Sequence, residues 1–378
     1  MNRALIFADI YSGRRRNEQN HCFYRRRQRR PRDPEPRFVP QLESEGYELH
    51  YAGTADGIER GIIEARGNVT YHAISSGKLR RYFSWRTVAA PFQVLRGVCQ
   101  ARRVLKRVKP LAVFSKGGYV SVPVVIAAKS RHIPVITHES DYTPGLANKI
   151  NARYADKICV TFEDTLQYVG EKGVHTGTPI RPELYGGDKR RGLDFLGFDG
   201  GKPVLLIMGG SLGAAAVNEA VRGALEPLLR TYDIAHLCGK GKVDSAFETP
   251  GYRQFEFVGA ELPDVFAATD VVISRAGANA VFEFLALSKP ALLIPLPLSA
   301  SRGDQLLNAG YFARKGFAMV LDQDDLTPKS LLDGVNDLYD RRLSFLATMS
   351  AEPTADGTDE VLSVIRETIR NSDKGTSR

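Results

Sequence analysis

From Tyr47 onward the chain alternates short apolar runs with amphipathic segments. "LAVFSKGG" (111–118), "IPVITHES" (133–140) and "DKICVTFED" (156–164) read as buried strands that end in polar or glycine turns. Between them "VSVPVVIAAKSR" (120–131) and "GLANKINARYA" (145–155) repeat apolar residues at helical spacing. This β-α-β-α-β order predicts a parallel sheet covered by helices on both faces. A stretch rich in Gly, Pro and charge (176–203) then interrupts the pattern, as an interdomain linker would. The pattern resumes with strands in "PVLLIMGG" (203–210), "IAHLCG" (234–239), "FEFVG" (255–259), "DVVISRAG" (270–277) and "PALLIPLP" (290–297). Helices are expected from Gly213 to about Arg230, from Asn279 to Leu287, and in the closing amphipathic segment 357–370.

The fold class expected is therefore α/β, with two Rossmann-like doubly wound domains facing across a cleft. The boundaries predicted are an aberrant, disordered stretch at 1–38, a first domain at 39–180 and a linker at 181–202. A second domain at 203–355 and a terminal helix and tail at 356–378 complete the division. Ligands of such sheets bind beyond the carboxyl ends of the strands, which makes the strand-end turns the places to look for chemistry.

Charge changes this picture less than its total suggests. The net charge is +9, but residues 1 to 40 hold eleven Arg against four Asp or Glu, which leaves only +2 for the other 338 residues. The body of the protein is thus no polyanion binder, and a nucleic-acid partner is not expected. No apolar run is long enough to cross a membrane as a helix. Cys22, Cys99, Cys159 and Cys238 are too dispersed for a metal or redox spacing and suit a reducing compartment.

The clearest turn lies in "LLIMGGSLGAAAVNEAV" (205–221), where a strand runs through Gly209, Gly210 and Ser211 into a helix. Glycines let the backbone approach a ligand, and N–H groups at a helix start favour phosphate. Read alone, it serves equally as a plain strand-to-helix turn, and no acidic residue follows at the dinucleotide-binding distance. In "SRAGANAVFEFLALSKPALLIPLP" (274–297), Glu283 stands among Val281, Phe282 and Phe284, where a carboxylate could accept both hydroxyls of a ribose or simply be a helix charge. In "SRGDQLLNAGYF" (301–312), Asp304 reads as a helix cap and Gln305 as an amide suited to sugar hydroxyls. His138, Glu139 and Asp141 invite a metal reading, but residues adjacent in a turn rarely share one ion, and no metal site is expected.

Taken in order, "ISSGKLRRYF", "FSKGGYVSVPVVIAAK", "HESDYTPGLANK", "TGTPIR", "MGGSLGA", "SRAGANAVFE" and "DQLLNAG" closely resemble the MurG family from about Val39 to the C-terminus. These are the UDP-N-acetylglucosamine (UDP-GlcNAc) transferases that convert lipid I to lipid II in peptidoglycan synthesis. The resemblance implies a GT-B glycosyltransferase fold and an inverting, metal-independent hexosyl transfer to the muramyl 4-hydroxyl, with UDP-GlcNAc as substrate and no cofactor. It implies that Gly210 and Ser211 meet the UDP, Glu283 the ribose and Gln305 the sugar hydroxyls, with Arg181 near the donor. Asp141 is grouped with the donor residues, although it stands where many relatives have Asn.

The acceptor, an undecaprenyl-diphosphate-linked sugar, implies peripheral contact with the cytoplasmic face of the cell membrane. Leu79, Tyr82, Phe83 and Trp85 beside Arg80, Arg81 and Arg86 suit an apolar wedge with a cationic rim against an anionic surface. The same residues also suit a core helix with snorkelling basic side chains. A diacylglycerol glycosyltransferase of the same superfamily is the alternative activity. An inactive UDP-sugar-binding relative is the alternative if the opening stretch is genuine.

The family opens with a strand and a Gly-rich loop of the form TGGGTAGHVTPNLAL, whose His is the proposed general base. No such loop is visible here, so the catalytic base is not assigned; "YRRRQRRPRDPEPRF" (24–38) stands in its place. Read one base forward, however, Tyr24 through Phe38 can encode T-G-G-G-N-A-G-H-V-T-P-N-L-A-L. In the same frame, Asn17 through Phe23 can encode M-N-K-I-I-V-F, a start and a first strand. The expectation is a frameshift closed near Val39, with residues 1–16 as leader. As written, the chain should lack the first strand of its first sheet and bind donor without transfer.

Overall fold

The structure, a computed structural model, describes residues 4–8, 38–76, 90–209, 214–352 and 355–376. Two compact units make up the chain: residues 1–179 together with 357–378, and residues 180–356.

The first unit holds a seven-stranded parallel sheet. Its strands are β1 (Ala4–Ala8), β2 (Glu48–Gly53), β3 (Val69–Ala73), β4 (Ala112–Ser115), β5 (Val135–Glu139), β6 (Lys157–Val160) and β7 (Gly173–His175), in the order β3-β2-β1-β4-β5-β6-β7. The reversal of order between β1 and β4 is the topological switch point, where the loops at the carboxyl ends diverge and leave room for a ligand. β4, β5 and β6 fall inside the apolar runs that predict them, and the helices Ser121–Lys129 and Leu146–Tyr154 fall inside theirs.

β1 overturns the expectation that the first strand is missing. Ala4–Ala8 pairs with β2 on one side (Leu5 opposite Leu49) and β4 on the other (Phe7 opposite Phe114). The five residues ALIFA are apolar throughout, which a strand covered on both faces requires. Leu5 and Phe7 join one core with Phe38, Phe114 and Ile136, while Ala4, Ile6 and Ala8 join another with Val113, Val124 and Val135.

The closing helix, Thr358–Thr376, belongs to this same unit. Its Val361, Leu362, Ile365 and Ile369 complete the core around Leu5 and Phe38, and Arg366 pairs with Glu45.

The second unit repeats the plan with six parallel strands: β8 (Val204–Met208), β9 (Asp233–Leu237), β10 (Tyr252–Phe255), β11 (Val271–Ser274), β12 (Ala291–Leu293) and β13 (Ala318–Val320). Their order, β10-β9-β8-β11-β12-β13, puts the switch point between β8 and β11. β10 lies earlier than "FEFVG" suggests. Tyr252 enters the core opposite Ile234, whereas Glu256 and Phe257 are exposed beyond the strand's end.

The stretch 181–202, expected as a linker, is folded into this unit. Asp188 caps the helix Lys189–Leu196 by accepting the Arg191 N–H, and Gly197 closes it. The helix lies against Leu262–Ala268 so closely that a Cβ on Gly192 would stand 2.0 Å from the Asp264 carbonyl oxygen. Arg191 clamps the Asp264 carboxylate through two nitrogens, at 2.7 and 3.1 Å. Among the described residues no helix is long and apolar enough to cross a membrane.

Candidate functional site

In the second unit the chemistry gathers around the β8–β11 switch point. The Ser274 hydroxyl, at the end of β11, donates to the Met208 carbonyl at the end of β8 (3.1 Å) and so ties the two strand ends together. Gly210 and Ser211, which follow β8 in the sequence, lie outside the described residues.

After β11, Gly277 opens the helix Ala278–Ala286 by accepting the N–H groups of Ala280 and Val281. Glu283 is on the second turn, 6 % exposed. Arg181 grips it in a two-pronged ion pair, Nε to Oε1 at 3.2 Å and Nη2 to Oε2 at 3.1 Å. A buried carboxylate needs such a partner, because dehydrating it unpaired would cost several kcal/mol, on the order of the penalty for any buried ion. Two residues a hundred positions apart are thereby brought together, both of them named from the sequence.

Gln305 lies on the helix Asp304–Arg314. Gly303, with φ +88°, is the residue that caps this helix, and Asp304 pairs with Arg302 (3.3 Å) in place of the capping role expected of it. The positive φ at 303 is what lets the chain turn sharply out of the Pro-rich loop. Gln305 Oε1 accepts the Leu296 N–H at 3.0 Å, which fixes the orientation of an amide whose NH2 is a donor.

Two residues not singled out in the sequence hold this arrangement. Arg275, 9 % exposed, donates from Nη1 to the carbonyls of Ile294 (2.9 Å) and Pro295 (3.2 Å), and from Nη2 to Gln323 Oε1 (2.5 Å). Asn308, fully buried, donates to the Ala276 carbonyl at 3.1 Å. The available signal was Arg275 itself, a cation directly after four buried strand residues, which must find acceptors inside the fold.

The first unit carries a second polar cluster, at the ends of β4 and β5. Glu139, 5 % exposed, accepts the N–H groups of Asp141 (3.0 Å) and Gly145 (3.0 Å) and the Asn148 amide (2.8 Å). Burial pushes its carboxyl up from the usual range, and those three donors pull it part of the way back. The Thr137 hydroxyl lies 3.1 Å from Asn148 Oδ1, and Asn151 donates to Ser121, whose own hydroxyl donates to the Gly118 carbonyl (both 2.7 Å). Gly117, at φ +89°, approaches Asn148 so closely that a Cβ there would stand 2.9 Å from its amide. The network thus fixes both strand-end turns from beneath. Asp141 is half-buried on one of them, in the other unit from Arg181, Glu283 and Gln305.

His138 turns its Nε2 to the Gly177 carbonyl (3.1 Å), so its partner, like those of Glu139, is protein. Among the described residues no three His, Cys, Asp or Glu side chains stand close enough to hold a metal ion. Leu79, Tyr82, Phe83 and Trp85 lie outside the described residues. The helix Ala90–Val108, which begins shortly after them, exposes Phe92 and Leu95 to 74 and 62 %.

Comparison with known proteins agrees with this geometry. The glycosyltransferase family 28 N-terminal domain matches residues 37–160, and the family's C-terminal domain matches residues 204–363. The UDP-N-acetylglucosamine--N-acetylmuramyl-(pentapeptide) pyrophosphoryl-undecaprenol N-acetylglucosamine transferase of Lachnoclostridium phytofermentans is 52 % identical over 336 residues, 88 % of this chain and 94 % of that protein. The enzyme of the same name from Clostridium tetani is 48 % identical over 342 residues, 89 % and 95 % of the two chains. Among solved structures, MurG of Acinetobacter baumannii superposes with a TM-score of 0.73 at 24 % identity, covering 97 % of this chain and 99 % of its own. That last likeness establishes the glycosyltransferase architecture of two parallel α/β sheets. With half of its residues shared across nearly the full length of these relatives, the chain belongs to the MurG family of glycosyltransferases.

Proposed function

We propose that this protein transfers N-acetylglucosamine from UDP-GlcNAc to the muramyl 4-hydroxyl of lipid I, giving lipid II and UDP. The observation that carries the reading is the 52 % identity over 94 % of a relative bearing that activity in its name. The β8–β11 switch point supports it with a carboxylate, a guanidinium and an amide of suitable chemistry.

The roles assigned to them follow from charge. Glu283 accepts the two ribose hydroxyls, whose short, directional donors suit a carboxylate fixed in place. As they bind, Arg181 exchanges one anion for another and turns to the diphosphate. The Gly210–Ser211 turn supplies backbone and hydroxyl donors to the same group. Gln305 donates its amide to a sugar hydroxyl. The muramyl 4-hydroxyl oxygen attacks the anomeric carbon from the face opposite UDP as its proton passes to a general base, the sugar–phosphate C–O bond breaks with its electron pair passing to the diphosphate, and the configuration inverts. Arg181 then offsets the charge that develops on the leaving group, where a pre-placed cation helps most. The Glu139 network holds Asp141 and the Gly117 turn at the acceptor half's own switch-point edge.

The lipid acceptor places the enzyme peripherally on the cytoplasmic membrane face. Support comes from the helix Ala90–Val108, which exposes Phe92 and Leu95 and, at and beyond them along the same helix, Arg96, Arg102, Arg103 and Lys106. Apolar side chains rimmed by cations are what an anionic bilayer surface retains.

The deciding experiment offers radiolabelled UDP-GlcNAc with lipid I or with diacylglycerol. Label in lipid II alone is expected; label in a glycosyl-diacylglycerol alone would replace this reading by the other activity of the superfamily.

A further inference from the structure

Residues 274–276 are joined to the end of β8, the end of β12 and the helix that carries Gln305. Ser274 bonds to the end of β8, the Ala276 carbonyl receives Asn308 from the Gln305 helix, and Arg275 binds the end of β12 and Gln323. The Arg275 bonds matter most for geometry. Its Nη1 holds the carbonyls of Ile294 and Pro295, and the next N–H along the chain, that of Leu296, is the one that fixes Gln305 Oε1.

A loop containing Pro295 and Pro297 cannot donate at those two positions, so carbonyl acceptors and the single Leu296 N–H carry its attachment. Without the guanidinium, two buried carbonyls and the Gln323 amide lose their donor together, and the peptide that orients Gln305 is released. Arg275 is itself too enclosed to serve as a ligand cation for the diphosphate, since both its Nη nitrogens are already engaged with protein oxygens.

We infer that Arg275 is a positioning residue for sugar recognition, acting through the Ile294–Leu296 backbone to set the Gln305 amide. This rests on the proposed role of Gln305 toward the donor sugar. It divides the donor site into two parts that should respond separately. The uridine diphosphate is served by Glu283, Arg181 and the turn after β8; the sugar is served by the Gln305 amide and the loop that Arg275 clamps.

The test is a double-mutant cycle by titration calorimetry on the full chain, with UDP and UDP-GlcNAc as separate ligands. Arg275→Met and Gln305→Ala should each weaken UDP-GlcNAc binding about tenfold, the worth of one well-placed hydrogen bond, while UDP affinity changes less than about twofold. In the double variant the loss should not grow, because the two changes remove one interaction. Additive losses, or equal losses for UDP and UDP-GlcNAc, would overturn the proposal.

Should Arg275→Met fail to fold, Gln323→Ala and Arg275→Lys decide the matter. Each is expected to lower UDP-GlcNAc affinity by a smaller factor with UDP binding intact, and parallel loss of both ligands in these variants would again refute it. A wild-type chain that binds UDP-GlcNAc but fails the transfer assay would count against the proposed function and leave this test standing.

Discussion

At the scale of single residues, the proposed donor role sets Glu283 and Arg181 against the bond they already make to each other. Glu283 and Arg181 satisfy each other through two hydrogen bonds, and each is also the residue best suited to one part of the donor. On the proposed role, ribose hydroxyls would compete with the guanidinium for Glu283, and part of the binding energy would go into exchanging partners. Glu283→Gln keeps the side chain's shape and one acceptor but removes the charge that both the ribose and Arg181 use. UDP-GlcNAc affinity should fall by about ten- to a hundredfold, the usual worth of a charge-assisted hydrogen bond, as read by calorimetry. Unchanged affinity would remove Glu283 from the ribose role. Both residues were legible in the sequence because each follows a strand or a turn with family-like spacing. Their pairing was not, because a contact across a hundred residues leaves no local pattern.

Secondary-structure elements were legible where the physics is local. β4, β5 and β6 are apolar runs closed by turns, and a strand covered on both faces has no other way to look. The helix Lys189–Leu196 was missed because its burial comes from a partner: Gly192 meets the Asp264 carbonyl, and nothing nearby in sequence announces it. The opposite case is the helix Ala90–Val108, which leaves large apolar side chains uncovered. Phe92 and Leu95 are left in solvent at the end nearest the segment expected to touch lipid. Replacing both by Ser removes apolar area worth about 1.5–3 kcal/mol per side chain when buried in a bilayer interface. Co-sedimentation with vesicles rich in anionic lipid should drop at least tenfold in Phe92→Ser/Leu95→Ser, with UDP-GlcNAc binding unaltered. Equal sedimentation would assign this face to another partner.

For the molecule as a whole, the open matter is the strand between β2 and β4. That slot takes one short apolar strand, and two readings of the sequence can supply it. As written, Ala4–Ala8 fills it, and residues 9–37 separate that strand from Phe38. Read one base forward, Asn17–Phe23 can encode M-N-K-I-I-V-F, whose K-I-I-V-F suits the same slot, and the residues after it can encode a Gly-rich stretch and a His. In the second reading the strand leads straight into the β1–β4 switch point, where glycine N–H groups can approach an acceptor diphosphate.

The second unit is indifferent to this choice, because it closes its own core around Leu205, Ile207, Val271, Ile273 and Leu331 and contains Arg181, Glu283 and Gln305. The two polypeptides should therefore bind UDP-GlcNAc with the same affinity within about twofold, and any difference between them should appear in the rate of lipid II formation, with the re-read chain the faster. Resequencing codons 10 to 45 should reveal a compensating pair of frame changes. If the arginines stand in clean sequence and the chain as written still transfers the sugar, the base and the diphosphate site come from residues of this chain that the family's opening loop does not supply, and the frameshift reading falls.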